Sequence, residues 1–286
     1  MLTESPFDDL LNLIDQLPAR DEESVQELVD RLIKSHNVKA GRSDAALSWL
    51  TWLAGWQGKS KLSLRESHLC LFTSSYAGAG DTQEVEGFAE KAGRGQTALN
   101  QLCKDKGLGL RVLELAPSVP HNIDTGWSER ECMAACAFGM EATAAGGDML
   151  ALSAFSAGAD AVAQKLIVSL EGLNQDCPDK RDVLKCFKEL AGREIAAMVG
   201  AIVAARSRRL PVVVEGWAAI AAMKVLYLVS PEAVAHVRAA SSESASQTAV
   251  LASMQQEPLL SSFEGLPPGC GLAVALSALS PLISLA

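Results

Sequence analysis

The chain has 286 residues, of which 49% are hydrophobic, 21% charged and only 5% aromatic. Such a length and apolar content suffice for one large domain or two ordinary ones around a true core, and they exclude a disordered or disulfide-stapled chain. With 25 Lys and Arg against 34 Asp and Glu, the net charge is −9. This disfavours a broad reader of nucleic-acid phosphates, although a local basic patch stays open.

Helices come first. Ser5 is a candidate N-cap, Pro6 suits the first helical position, and Asp8 and Asp9 suit the positive end of the dipole; this helix runs to about Gln16 and stops before Pro18. A second spans about Glu22 to Lys34 on an apolar stripe of Val25, Leu28, Val29 and Leu32. A third, about Asp44 to Trp56, is apolar on most sides and is expected to be buried. Three helices before any strand suggest a small helical subdomain.

From residue 68 short apolar runs alternate with helices. His68 to Thr73, Leu110 to Leu115, Met149 to Ser153 and Pro211 to Glu215 read as parallel strands covered on both faces. Helices are predicted over Glu84 to Lys106, ended by Gly107, over Glu129 to Ala145, opened by a Ser128/Glu131 capping box, and over Glu194 to Arg209. The basic end Arg206 to Arg209 reads as a solvated helix cap or an anion site. The apolar stretch from Gly269 to Ala286 is too short to span a membrane and is expected to form a buried terminal helix. The alternation predicts a doubly wound α/β fold with a mostly parallel sheet. In such sheets ligands bind beyond the carboxyl ends of the strands, which here means residues 73–76, 153–160 and 215–217.

Seven cysteines form no CxxC pair, and their placement in apolar runs suggests reduced, buried thiols in a cytoplasmic protein. Cys132 and Cys136 are four apart on a helix, but no His or further Cys lies near in sequence, so no metal site is expected. The four histidines (His36, His68, His121, His236) have no metal-ligand spacing either. The P-loop and the GxGxxG dinucleotide fingerprint are missing, and no cofactor is expected.

Several segments together resemble the nicotinate-nucleotide:dimethylbenzimidazole phosphoribosyltransferase family of cobalamin biosynthesis. They are Leu53 to Gly58, Gly139-Met140-Glu141 followed by Asp148 to Leu152, Gly192 to Ile202, Pro211 to Trp217, and Glu257 to Leu260. The resemblance implies an α/β domain over 61–230, with a small helical domain formed from residues 1–60 and 231–286. It also implies a homodimer, or a mixed dimer with a homologue, whose ligands are nicotinate mononucleotide and a benzimidazole-type base.

The same resemblance shows departures. The family's catalytic glutamate, in a Gly-Glu-Gly-Thr/Ser-Gly loop, falls on Pro268 of Pro267-Pro268-Gly269-Cys270-Gly271. Proline has no group to accept a proton. The family's nucleotide motif, Gly-Glu-Met-Gly-Ile-Gly-Asn-Thr-Thr, becomes Ser153 to Asp160, where only Gly158 is kept, Ala154 replaces the glutamate and Asp160 replaces a phosphate-facing threonine. Asn-His-Gly becomes Ser74-Ser75-Tyr76, the segment His-x-Ser-Ala-Glu-Pro-Gly-His becomes about Ser241 to Gln247, and the stretch from Gln164 to Asp182 is too short for the family's phosphate loop.

The resemblance thus implies a divergent member without the family's catalysis. One alternative is an active transferase with relocated groups; another is a regulatory or mixed-dimer partner of an active homologue. For a relocated catalyst the candidate acids are Glu215, whose other reading is a helix N-cap or structural acid beside Gly216, and Glu264, whose other reading is a surface-loop acid. Candidate ligand positions are Ser74, Ser75, Tyr76, Gly158, Asp160, Gly216, Gly269 and Gly271.

Overall fold

The computed structural model describes residues 5–35, 45–79, 82–173, 178–261 and 265–284. Local sequence chemistry sets the first elements. Helix α1 (Pro6–Asp15) begins where the Ser5 N–H donates to Asp8 at 3.1 Å and the Ser5 hydroxyl accepts from the Phe7 N–H, a reciprocal cap. In α2 (Glu22–Lys34) the Asp21 carboxylate accepts from the Ser24 N–H at 3.1 Å. Helix α3 (Ala45–Gln57) buries Trp49, Trp52 and Trp56.

The strand–helix alternation then follows: β1 (Ser67–Ser75), α4 (Thr82–Gly93), α5 (Ala98–Lys106), β2 (Gly109–Glu114), α6 (Glu129–Met140) and β3 (Met149–Ala157). Next come α7 (Ala159–Glu171), α8 (Lys180–Leu190), α9 (Arg193–Ser207), β4 (Val212–Val214), α10 (Trp217–Val229) and β5 (Val237–Ala239). The chain continues through β6 (Ser241–Ser242), α11 (Ala245–Ser253), β7 (Leu260–Ser261) and α12 (Cys270–Ile283). No helix among the described residues is long and apolar enough to cross a membrane.

Three expectations need correction. The single helix over 84–106 is two helices, because Gly95 takes a left-handed φ of +75° and Thr97 then caps α5 reciprocally with Asn100. The helix after Ser128 leaves α-geometry at Met140 and closes with a 3-10 turn over Glu141–Thr143. Strand β3 runs four residues past Ser153, because its backbone stays paired with β1 as far as Ser75 and Ala157.

The main sheet has the order β2-β1-β3-β4-β5 and every pairing is parallel. The chain steps from β1 outward to β2 and then returns to the other side of β1. The point of reversal therefore lies between β1 and β3. Alternate strand residues feed two cores. Cys70, Phe72, Leu150 and Leu152 pack with α1 and α6–α10 on one face. Leu69, Leu71, Met149 and Ala151 pack with α2, α3, α5 and α12 on the other.

Under the first face α6 and α9 cross with their backbones in contact. A Cβ at Gly139 would overlap the Ala197 carbonyl, and one at Gly200 would overlap that of Cys136. Neither position has room for a side chain.

Candidate active site

Two groups of polar residues lie at the carboxyl edge of the sheet. The first fills the β1/β3 reversal. Ser74 and Ser156 face each other in register; the Ser74 N–H donates to the Ser156 hydroxyl at 3.0 Å, and the two hydroxyls are 2.9 Å apart. The Ser74 hydroxyl also donates to Glu194, and the Tyr76 hydroxyl donates to the other oxygen of the same carboxylate. Glu194 sits in the first turn of α9 with no solvent exposure. Burial raises its pKa, against the pull of the Ser74 and Tyr76 hydrogen bonds. Burial first, and then the Glu194 charge, holds the Tyr76 phenol well above its usual value. The Ser75 hydroxyl donates to the Pro117 carbonyl at 2.6 Å, and the Tyr76 ring stands edge-on to His121 at 6.1 Å. Ser74, Ser75 and Tyr76 are thus buried and spent on internal bonds.

The second group surrounds a cleft of about 260 Å³ between the ends of β3 and β4. Its walls include Phe155, Gly158, Asp160, Glu215, Trp217 and Pro268. Phe155 is braced by the Phe88 ring, 4.7 Å away. Gly158, at φ +85°, turns the chain from β3 into α7 and sets Asp160 in that helix's first turn, where desolvation raises its carboxyl pKa. No Lys or Arg lines the cleft among the described residues.

Glu215 is the central acid. It follows β4, is 5% exposed, and accepts from the Leu272 N–H at 3.0 Å. The backbone N–H groups of Gly271 and Gly269 bond it as well. It therefore caps α12 from a strand 57 positions earlier and lines the cleft with the same carboxyl. A Cβ at position 271 would overlap a Glu215 oxygen, so a larger residue there would push this carboxyl away from the start of α12. Burial, reinforced by the Glu243 charge, pushes the Glu215 carboxyl up to about 7, while the three N–H groups pull the other way. A carboxyl at that value exchanges protons near neutral pH.

The structure brings Glu215, Gly216, Gly158, Asp160 and Pro268 together around the cleft, with Gly269 and Gly271 behind it at the start of α12. It places Ser74, Ser75 and Tyr76 in the neighbouring network instead. Glu264 lies outside the described residues. Among those described, no group of three or more His, Cys, Asp or Glu could hold a metal ion, and six free cysteines are buried or half-buried. Sequence reasoning missed Glu194 as a polar centre. Its only signal was an acid in the first turn of a helix whose next eleven residues are apolar or glycine.

The fold has relatives among known proteins. A phosphoribosyltransferase family model matches residues 133–283. The nicotinate-nucleotide–dimethylbenzimidazole phosphoribosyltransferase of Brucella melitensis is 33% identical over 94% of this chain and 91% of its own length. That of Brucella abortus is 32% identical over the same shares. The Brucella melitensis alignment spans 317 positions, whereas 94% of 286 residues is only about 269, so about 48 of those positions have no counterpart here. Among solved structures, the Thermus thermophilus enzyme of the same name superposes with a TM-score of 0.77 over 93% of this chain and 96% of that one, at 19% identity. With the parallel sheet, the cleft and these matches in place, the chain belongs to the nicotinate-nucleotide–dimethylbenzimidazole phosphoribosyltransferase family.

Proposed function

We propose that this chain is a divergent family member that has kept the transferase framework without the family's proton-accepting step. Family transfer of ribose phosphate from nicotinate mononucleotide to a benzimidazole-type base needs a grip on the phosphate and a base for the incoming nitrogen. The observation that carries the reading is Pro268, which stands in the cleft wall where the resemblance puts the catalytic glutamate. Supporting it, the cleft offers no Lys or Arg among the described residues, and Asp160 sets a negative charge at the helix start where the family has a threonine. Strands β1 and β3 stay zipped at their reversal point, through Ser74 and Ser156. Losing a positioned general base forfeits about 10²–10⁴ in rate, before any loss of phosphate anchoring.

One observation favours a second reading, an active transferase with a relocated base. Glu215 shares the cleft with Pro268, and its carboxyl is poised at about 7. It would take the proton of the attacking nitrogen, once released from α12. A regulatory role, as a homodimer or as partner to an active homologue, is compatible with the first reading.

The test is to incubate the protein with nicotinate mononucleotide and dimethylbenzimidazole and to look for the ribotide by chromatography, with calorimetric titration of each ligand alone. The expected result is no ribotide above background. Turnover at an ordinary enzymatic rate would overturn the first reading. If that turnover vanished in Glu215→Gln, the second would take its place.

A further inference from the structure

A larger cavity lies beside the edge strand β5. It measures about 1020 Å³ and is bounded by α3, β5 and the segment after α11. Its floor is the row Trp49, Trp52 and Trp56 on one side of α3. The Trp52 indole N–H donates to the Ala235 carbonyl at 3.2 Å, which fixes that ring against the start of the edge strand.

Three arginines surround these rings. Arg206 lies beneath, 4.0 Å from the Trp56 ring, and its Nε donates to the Pro18 carbonyl at 2.9 Å. Arg20 lies across Gly55, its Nε buried without a hydrogen-bond acceptor, and its ion partner Glu22 stands 3.5 Å off with a 73% exposed side chain. Arg238, from β5, rests 4.7 Å from the Trp49 ring and 5.2 Å from that of Trp52. Its Nη2 donates to the Ser48 hydroxyl at 2.9 Å, and no carboxylate lies within 4 Å of it among the described residues. A guanidinium carries five N–H donors in a planar fork. Here aromatic faces and one hydroxyl hold that fork in place, so most of its donors are left for a ligand. Burial, and then the charge of Arg20, lowers the Arg238 pKa to about 10, so it remains a cation at neutral pH.

We propose that this groove is a second ligand site, in which Arg238 anchors the terminal carboxylate or phosphate of a small molecule whose uncharged body lies along the tryptophan floor. A planar fork matches an oxyanion bidentately, and stacking on indoles orients it beforehand. The rim bears Glu22, Glu232 and Glu257. These acids disfavour a polyanion, so the site takes a single oxyanion at one end of its ligand. The volume suits a small organic molecule.

The probes are phenyl phosphate, benzoate and inorganic tripolyphosphate, titrated into the full chain by tryptophan fluorescence and calorimetry. Phenyl phosphate or benzoate should saturate below millimolar concentration and weaken as salt is raised; which of the two is tighter identifies the oxyanion. Arg238→Gln should weaken the preferred probe at least tenfold. Glu257→Gln, on the exposed rim and harmless to folding, should tighten it about two- to fivefold by removing a repelling charge. The proposal is overturned if neither single-oxyanion probe saturates, if tripolyphosphate binds more tightly, or if a folded Arg238→Gln binds like the unaltered chain. Should Arg238→Gln fail to fold, an unchanged affinity in Glu257→Gln overturns it on its own.

Discussion

The two edges of the central sheet treat buried acids in opposite ways. At the amino edge, Asp148 receives the Ser63 hydroxyl at 2.6 Å, the Lys59 ammonium at 2.9 Å and the Glu66 N–H at 3.1 Å. Burial alone would raise its pKa, yet these partners hold it below the usual carboxylate value. At the carboxyl edge, Glu215 and Glu194 have no cation within 4 Å among the described residues and titrate high. Low solvent exposure thus goes with a structural anion at one edge and with carboxyls of raised pKa at the other. What separates them is one lysine, and a desolvation at the carboxyl edge that outweighs the donors there.

The comparison breaks most severely at Asp148. Asp148→Ala would leave a hydroxyl, an ammonium and a backbone N–H without their acceptor, and should cost about 2–4 kcal/mol in urea unfolding. Because its native pKa is depressed, the contribution of Asp148 is present above the unfolded value and is lost as pH falls through the native one. The pH dependence of Glu215 has the opposite sign. Below its ordinary value of 4.5 both folded and unfolded states are protonated. Stability is then lost as pH rises toward about 7, where the folded state must also ionise a desolvated carboxyl. Glu215→Gln keeps an oxygen for the Leu272 N–H and removes the ionisation. Relative to the unaltered chain it should gain about 3 kcal/mol between pH 4 and pH 8, read from melting curves across that range. The smallest effect is expected at Tyr76. Tyr76→Phe deletes one of the two hydroxyls on Glu194 and should cost about 1–2 kcal/mol, with Ser74 still bonded.

Local chemistry makes much of the fold legible. The caps at Ser5 and Ser128 and the apolar runs of β1 to β4 announce themselves within a few residues. Helices α7, α8, α10 and α11 and the strand β5 escape such a reading. α10, for instance, is apolar apart from Lys224 and presents no clear stripe, and β5 is three residues long. The length of β3 is set by pairing with β1, which periodicity within one segment does not report. At the site, Glu215 is legible as an acid at a strand end, in both of its readings. Its hold on α12 is not, because the partner N–H groups come from the far end of the chain. Ser74 and Tyr76 read as pocket-lining groups until Glu194, 118 to 120 positions away, supplies them with an acceptor.

The bare crossing of α6 and α9 limits how this protein can move. Helices separated by side chains slide past one another by exchanging rotamers, a cushion that Gly139 and Gly200 do not provide. Such a pair is expected to move as one rigid axle under that face of the sheet. That leaves α7 and α10, whose first turns border the small cleft, and α12, which starts just after Pro268 in its wall, as the elements whose displacement would widen it.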